Sequence, residues 1–303
     1  MDVLVFGAGS LGSLVGGLLA RNHDVTLVGR DPHVEAVRTD GLRVSGVETF
    51  ETRPAATTDG TGANADLAVV TVKAYDTAAA ARALATGDVG AVCSLQNGMG
   101  NEDVLADHLD APVLAGATTL GARSSDPGHV EWLGRGRVTV GPWRPADDAA
   151  TAERVVEAFA AAGLDADATT DARGLLWEKL AINAAINPVT ALARVENGAV
   201  AEPPLSGLAK SAAAEVARVA SADGASLSAG DAREAVETVA RATARNRSSM
   251  HGDVARGRRT EIDAINGYVV DRAGNLDCSV PVNRGLAALV RGWEVGAGVR
   301  DGE

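Results

Sequence analysis

Gly7-Ala8-Gly9-Ser10-Leu11-Gly12 follows the apolar run Val3–Phe6 and opens an apolar stretch with helical spacing. Three glycines placed this way between a strand and a helix leave few folds open. Gly7 permits a tight turn, Gly9 lets a pyrophosphate approach the backbone, Gly12 allows close helix–strand packing, and the helix N-terminus attracts an anion. A chain with 35 glycines also produces such spacings by chance, as plain βα turns, so the context decides. Nearly continuous apolar runs at Val3–Phe6, Asp24–Val28, Asp66–Val72, Val89–Leu95 and Val113–Ala117 read as strands buried on both faces. They alternate with helical patterns at Leu11–Arg21, His33–Thr39, Thr77–Ala85 and Glu102–Leu109. That alternation predicts a parallel sheet wrapped by helices.

From Gly121 to Val140 short runs broken by Gly128, Gly134 and Gly136 suggest antiparallel strands finishing the sheet. A helix at Asp147–Ala162 and a strand near Asp165–Thr169 are expected to close the domain. Beyond about residue 170 the strand signal stops. Asp171–Leu192, Pro204–Asp223, Asp231–Arg245, Arg259–Ala273 and Val282–Gly292 all show helical spacing between caps and breakers. The expected fold is α/β: an N-terminal Rossmann-like dinucleotide-binding domain over residues 1–169, then an all-helical substrate and catalytic domain over 170–303. A cleft between two such domains is the usual place for a ligand.

Composition narrows the function. A formal charge of −12 and the lack of a Lys/Arg stripe argue against nucleic acid and anionic membranes as partners. Cys93 and Cys278 form no CxxC or Cys/His cluster, so neither a metal site nor a disulfide framework is expected, and a reducing cytoplasm is the simplest setting. Val3–Ala20 carries no charge but follows Asp2 and contains five glycines, which excludes a signal peptide or membrane span. Only three lysines, Lys73, Lys179 and Lys210, stand against twenty-five arginines. An acidic, lysine-poor chain suggests adaptation to high salt (a halophilic chain), and GC-rich codon usage explains it equally well.

At the end of the second strand Arg30 precedes Asp31. Arg30 suits a 2′-phosphate and favours NADPH; Asp31 could instead accept a ribose hydroxyl of NAD, the less favoured cofactor. Lys73 lies at the C-terminal end of the third parallel strand and Asn97 at the corresponding height of the next, where open α/β sheets bind ligands. An ordinary Asn-Gly turn is the other reading of Asn97-Gly98. In the helical half, Lys179, Asn183 and Asn187 are spaced i, i+4, i+8, within an arc of roughly 80° and a length of about 12 Å. Their neighbours are apolar, so the stripe calls for a polar ligand, unless it simply faces water. Pro188 is expected to kink this helix just beyond Asn187 and leave a carbonyl free. Ser249 and Glu261, about 18 Å apart on a continuous helix, can share a site only if the chain breaks at Gly252 or Gly257.

The chain resembles the ketopantoate reductase (2-dehydropantoate 2-reductase) family over nearly its whole length. The motifs that carry the resemblance are GAGSLG, TVKAYD, LQNGMGN, GATTLGAR, WEKLAINAAINPVTAL, the Asn197-Gly198 pair, SSM and RRTEIDAINGYVV. The resemblance implies NADPH-dependent reduction of 2-dehydropantoate to pantoate on the route to pantothenate and coenzyme A. By motif it makes Gly7, Ala8, Gly9, Ser10, Leu11, Gly12, Lys73, Asn97, Ala122 and Glu261 cofactor contacts. It makes Lys179 the proton donor and Asn183, Asn187, Asn197, Asn246 and Ser249 substrate-binding positions. Two alternatives stand beside it: a related two-domain reductase of another 2-oxo acid or of a hydroxyisobutyrate-type substrate, and a non-catalytic NADP-binding sensor. A homodimer is plausible from the apolar faces of the C-terminal helices, and Lys210 has no evident role.

Overall fold

Apolar runs of four to seven residues separated by helical spacings fold as strands and crossover helices, and the computed structural model describes this for residues 1–144 and 149–300. The chain begins β1 (Asp2–Phe6), α1 (Ser10–Leu19), β2 (Asp24–Val28), α2 (His33–Asp40), β3 (Leu42–Gly46), β4 (Phe50–Thr52) and β5 (Ala55–Thr57). It continues with β6 (Asn64–Ala65), β7 (Leu67–Val70), α3 (Thr77–Leu84), β8 (Asp88–Val89), β9 (Val92–Ser94) and α4 (Asn101–His108). Then come β10 (Val113–Thr118), β11 (Gly121–Asp126), β12 (His129–Gly134), β13 (Arg137–Pro142), α5 (Ala149–Ala161) and β14 (Asp165–Ala168). The expected helix start at Asp147 lies outside the described residues.

Eight strands form one sheet in the order β14-β13-β10-β9-β7-β1-β2-β5, parallel except where β13 runs against β10. Strand order reverses direction at β1, the switch point at which open α/β sheets take ligands. The expectation that Gly121–Val140 finishes this sheet holds only for β13. β11 and β12 instead form a second sheet of order β11-β12-β3-β4, with β12 parallel to β3. The physical reason is their burial. In β12, Val130 and Trp132 are buried while Leu133 is exposed, an alternation that suits a sheet with one covered face. The strands β3 to β6 gave no comparable apolar run and were not anticipated.

α1 lies between the two sheets, which explains a helix with no charge. A Cβ on Gly16 would stand 2.4 Å from Leu27 of β2, and one on Gly17 would stand 3.0 Å from Leu42 of β3. Leu14, Val15, Leu18 and Leu19 are fully buried there with Val3, Val5, Val44 and Trp132.

A second compact unit comprises residues 173–303 together with Asn97–Gly100; the first takes Met1–Gln96 and Asn101–Ala172. Its described helices are α6 (Ala172–Ala193), α7 (Leu205–Ala222), α8 (Ala229–Ala242), α9 (Ser249–Ala255), α10 (Tyr268–Asn275) and α11 (Pro281–Gly296). A wide π turn over Asp263–Gly267 leads into α10. The continuous helix expected over Arg259–Ala273 therefore begins late. Thr260 gives its backbone N–H to the carboxylate of Glu294 at 2.7 Å, outside any helical ladder.

α6 continues through Pro188 to Ala193. The carbonyl that loses its partner, that of Ala184, is not left free: Asn266 Nδ2 donates to it at 3.0 Å and to Asn283 Oδ1 at 2.9 Å. Asn283 in turn donates from Nδ2 to Ala212 O and Glu215 Oε2. Glu215 also accepts the backbone N–H groups of Val282 and Asn283, capping α11 from α7. A buried polar chain thus replaces the hydrogen bond that proline removes.

Candidate active site

In the first unit, β2, β1 and β7 are adjacent and end on one edge of the sheet, so Arg30, the glycine loop and Lys73 follow one another along it. The loop is tightly held. Gly7 and Ala8 both donate to Val28 O, at 2.9 and 2.8 Å, and Thr71 Oγ1 donates to Gly7 O at 2.8 Å. Gly7 has φ +116°, and a Cβ there would stand 2.6 Å from Val72 N. On Gly12 it would stand 2.1 Å from Gly7 O. On Gly9, by contrast, it would meet nothing within 4 Å. The loop is therefore packed against the sheet at Gly7 and Gly12 and open at Gly9, beside the first N–H groups of α1, which have no partner within their own helix. That arrangement fits a dinucleotide pyrophosphate. Ser10 Oγ accepts the N–H of Ser124 at 2.9 Å, which ties β11, and Ala122 two residues earlier, to the start of α1.

Lys73 precedes a single turn over Ala74–Asp76, closed by Asp76 N–H to Lys73 O at 2.8 Å. A buried polar network fixes this turn from behind. Gln96 Nε2 donates to Val72 O at 3.1 Å and to Thr77 Oγ1 at 2.7 Å, and Thr77 Oγ1 lies 2.8 Å from both Ala74 O and Asn101 Oδ1. Arg30 is exposed and pairs with Asp76 at 2.9 Å.

In the second unit α6 carries Lys179, Asn183 and Asn187 on one face. Lys179 and Asn183 are half-buried and Asn187 is buried, at 5% exposure, so the stripe does not simply face water. Three other segments anchor to or beside this helix. First, Thr190 Oγ1 donates to Ile186 O at 2.9 Å and lies 2.7 Å from Ser248 Oγ, and Ser248 caps α9 by accepting His251 N–H at 3.1 Å. This fixes Ser249, whose side is exposed. Second, the turn Glu261–Gly267 is held on α6 through Asn266. Glu261 is buried, and its neighbour Thr260 is clamped by Glu294, which is itself held by Arg300. Third, Met99 N–H donates to Ala264 O at 3.0 Å, so the segment that bears Asn97 sits on this same turn.

The break needed between Ser249 and Glu261 occurs at Gly257, with φ +61°; Gly252 is inside α9. Asn197 and Asn246 come together, the N–H of Asn197 donating to Asn246 O at 2.9 Å. Asn197 Nδ2 is committed to Thr243 Oγ1 at 2.9 Å. Among the described residues no three His, Cys, Asp or Glu side chains group to hold a metal ion, and no helix is long and apolar enough to cross a membrane.

Sequence reasoning missed Thr71, Gln96, Thr77, Thr190, Ser248, Asn266 and Asp76. Thr190 lies three residues beyond Asn187 and was within reach by extending the stripe. Asp76 and Asn266 gave no signal, because their partners are 46 and 82 residues away.

The family model of ketopantoate reductase PanE/ApbA matches residues 3–145, and its C-terminal counterpart matches residues 171–294. The chain belongs to the ketopantoate reductase family. Among its relatives, the 2-dehydropantoate 2-reductase of Halobacterium salinarum is 48% identical over 96% of this chain and 98% of its own. A crystal structure of a PanE/ApbA family ketopantoate reductase from Ralstonia eutropha superposes with a TM-score of 0.89 at 34% identity, covering 98% of this chain and all of that one. D-mandelate dehydrogenase solved with NADH and anilino(oxo)acetate has a TM-score of 0.92 over 99% of this chain and all of its own, at 22% identity, and so shares the fold. The ketopantoate reductase family is one of pyridine-nucleotide-dependent oxidoreductases.

Proposed function

We propose that this member of the ketopantoate reductase family reduces 2-dehydropantoate to pantoate with NADPH, as a cytoplasmic step toward pantothenate and coenzyme A. The observation that carries the reading is the half-buried stripe Lys179, Asn183, Asn187 on α6, ringed by anchored segments that end in Ser249 and Glu261.

NADPH, when bound, supplies the hydride for the ketone carbon. The glycine loop Gly7 to Gly12 takes the pyrophosphate on open backbone N–H groups at the start of α1. Arg30 takes the 2′-phosphate, and Lys73, Asn97, Ala122 and Glu261 complete the contacts with the nucleotide. Lys179 donates a hydrogen bond to the ketone oxygen, polarises the carbonyl and gives its proton as negative charge develops there. A compact ammonium can transfer a proton in this way, whereas a guanidinium holds its proton too tightly. Asn183 and Asn187 orient the oxygens of the substrate, and the Ser249 hydroxyl donates to its carboxylate. Asn197 and Asn246 shape the same end of the site. The protein acts as a soluble enzyme on a small molecule, and a homodimer is the proposed assembly.

The test is an NADPH-oxidation assay with 2-dehydropantoate beside simpler 2-oxo acids. Turnover on 2-dehydropantoate is expected to exceed the others, and Lys179→Ala is expected to lose about 100-fold or more in kcat. A variant within a few-fold of the parent would show that another group delivers the proton. Preference for a different 2-oxo acid would replace the substrate and keep the chemistry.

A further inference from the structure

We infer that the Asp76 carboxylate limits the preference of this protein for a 2′-phosphorylated nucleotide, by occupying Arg30 and repelling the phosphate. The inference deepens the reading above and rests on its assignment of Arg30 to the adenosine ribose.

Asp76 stands at the N-cap position of α3, where a carboxylate ordinarily accepts N–H groups of the first helical turn. It makes no such cap. Its Oδ2 is instead 2.9 Å from Arg30 Nη2, across from the end of β7 to the end of β2. Both residues border the edge on which the glycine loop opens. The backbone that carries the carboxylate is held in place: Asp76 N–H closes the turn on Lys73 O, and the next residue, Thr77, is 2% exposed within the Gln96–Asn101 network. The Arg30 side chain is 85% exposed, that of Asp76 34%.

The local charges decide the direction. The guanidinium of Arg30 is already offset by the carboxylate of Asp76 at 2.9 Å. A 2′-phosphate brings a charge of about −1.5 to −2. On Arg30 it shares one guanidinium with a carboxylate whose backbone is anchored beside it. A 2′-hydroxyl meets no such repulsion and can itself donate to a carboxylate. Orientation of Arg30 by Asp76 is a small opposing effect, because an exposed ion pair holds its partners weakly.

The test is isothermal titration calorimetry of NADPH and NADH on the intact protein at one fixed ionic strength, since salt screens these contacts. Asp76→Asn is expected to tighten NADPH about 3- to 10-fold and leave NADH within about 2-fold. Asp76→Glu, which keeps the charge, should stay near the parent. An unchanged ratio of dissociation constants in Asp76→Asn, or weaker NADPH binding in it, overturns the inference. Arg30→Ala separates this from the underlying reading. If it weakens NADPH selectively while Asp76→Asn changes nothing, Arg30 stands and the role of Asp76 falls. If Arg30→Ala leaves the ratio alone while Asp76→Asn shifts it, the carboxylate acts directly and the assignment of Arg30 falls.

Discussion

His33 has both ring nitrogens committed, and its environment dictates which one carries the proton. Nδ1 accepts the N–H of Gly128 at 3.1 Å, so the hydrogen of the neutral ring is on Nε2, 3.0 Å from Ser13 Oγ on α1. Burial lowers the pKa of this imidazole from its ordinary value, and protonation at Nδ1 would cost the Gly128 bond. A histidine whose folded pKa is depressed contributes stability above its unfolded value, about 6.5, and that stability is lost as pH falls through the folded value. Thermal midpoints measured from pH 8 to pH 5 should therefore fall more steeply below about pH 6.5 in the parent than in His33→Gln. The difference should be about 2 °C or less, because the ring is half exposed. At this scale the sequence disclosed residues whose placement follows from type and spacing, such as Gly7 and Gly12 in the tight loop and Lys179 on the polar face of α6. It did not disclose Asp76 or His33. Their significance comes from partners remote in sequence, and an aspartate before a helix reads as an ordinary cap.

Between elements, the buried hydroxyl pair of Thr190 and Ser248 joins α6 to α9. His251 N–H donates to Ser248, Ser248 to Thr190, and Thr190 to Ile186 O, so each hydroxyl both gives and accepts. Thr190→Val keeps the shape and leaves the Ser248 hydroxyl without its acceptor. Denaturant titration should show a loss of about 1–3 kcal/mol. The KM for the 2-oxo acid should rise several-fold with kcat changed less, because α9 positions Ser249, the proposed carboxylate donor, rather than Lys179, the proposed proton donor. A kcat loss with KM unchanged would exclude that role. Most helix boundaries were legible from period and caps, though not the start of the helix expected at Arg259, and most strands from apolar runs. Two expectations at this scale failed for a shared reason. Pro188 removes a backbone hydrogen bond, as any proline would, but whether the freed carbonyl stays unpaired depends on a distant donor, here Asn266. β11 and β12 read as strands, but which sheet they join depends on where β3 presents an open edge.

For the whole molecule, the charge of −12 and the thinning of lysine acquire a physical setting. Lys210, the lysine without a proposed chemical role, pairs with Glu237 at 3.0 Å and bridges α7 to α8. Its hydrogen bond is the largest reason that the Glu237 carboxyl lies below its usual pKa. Self-repulsion of an acidic surface weakens as the Debye length falls from about 10 Å at 0.1 M salt to about 3 Å at 1 M. Calorimetric midpoints are expected to rise by several degrees between 0.1 M and 2 M KCl. A fall over that range would mean that the surface ion pairs outweigh the repulsion. The sequence by itself determined the alternation that makes a Rossmann-like unit, the helical second half, the glycine loop and the polar stripe on α6. All of these are encoded by residues within one or two turns or strands, where backbone geometry fixes which side chains share a face. Only the tertiary structure decided the separation of β11 and β12 from the main sheet, the seating of Asn97–Gly100 with the helical unit, the repair at Pro188 and the pairing of Arg30 with Asp76. Those depend on which distant segments come to lie side by side. That is settled by packing of the whole chain, and no local pattern records it.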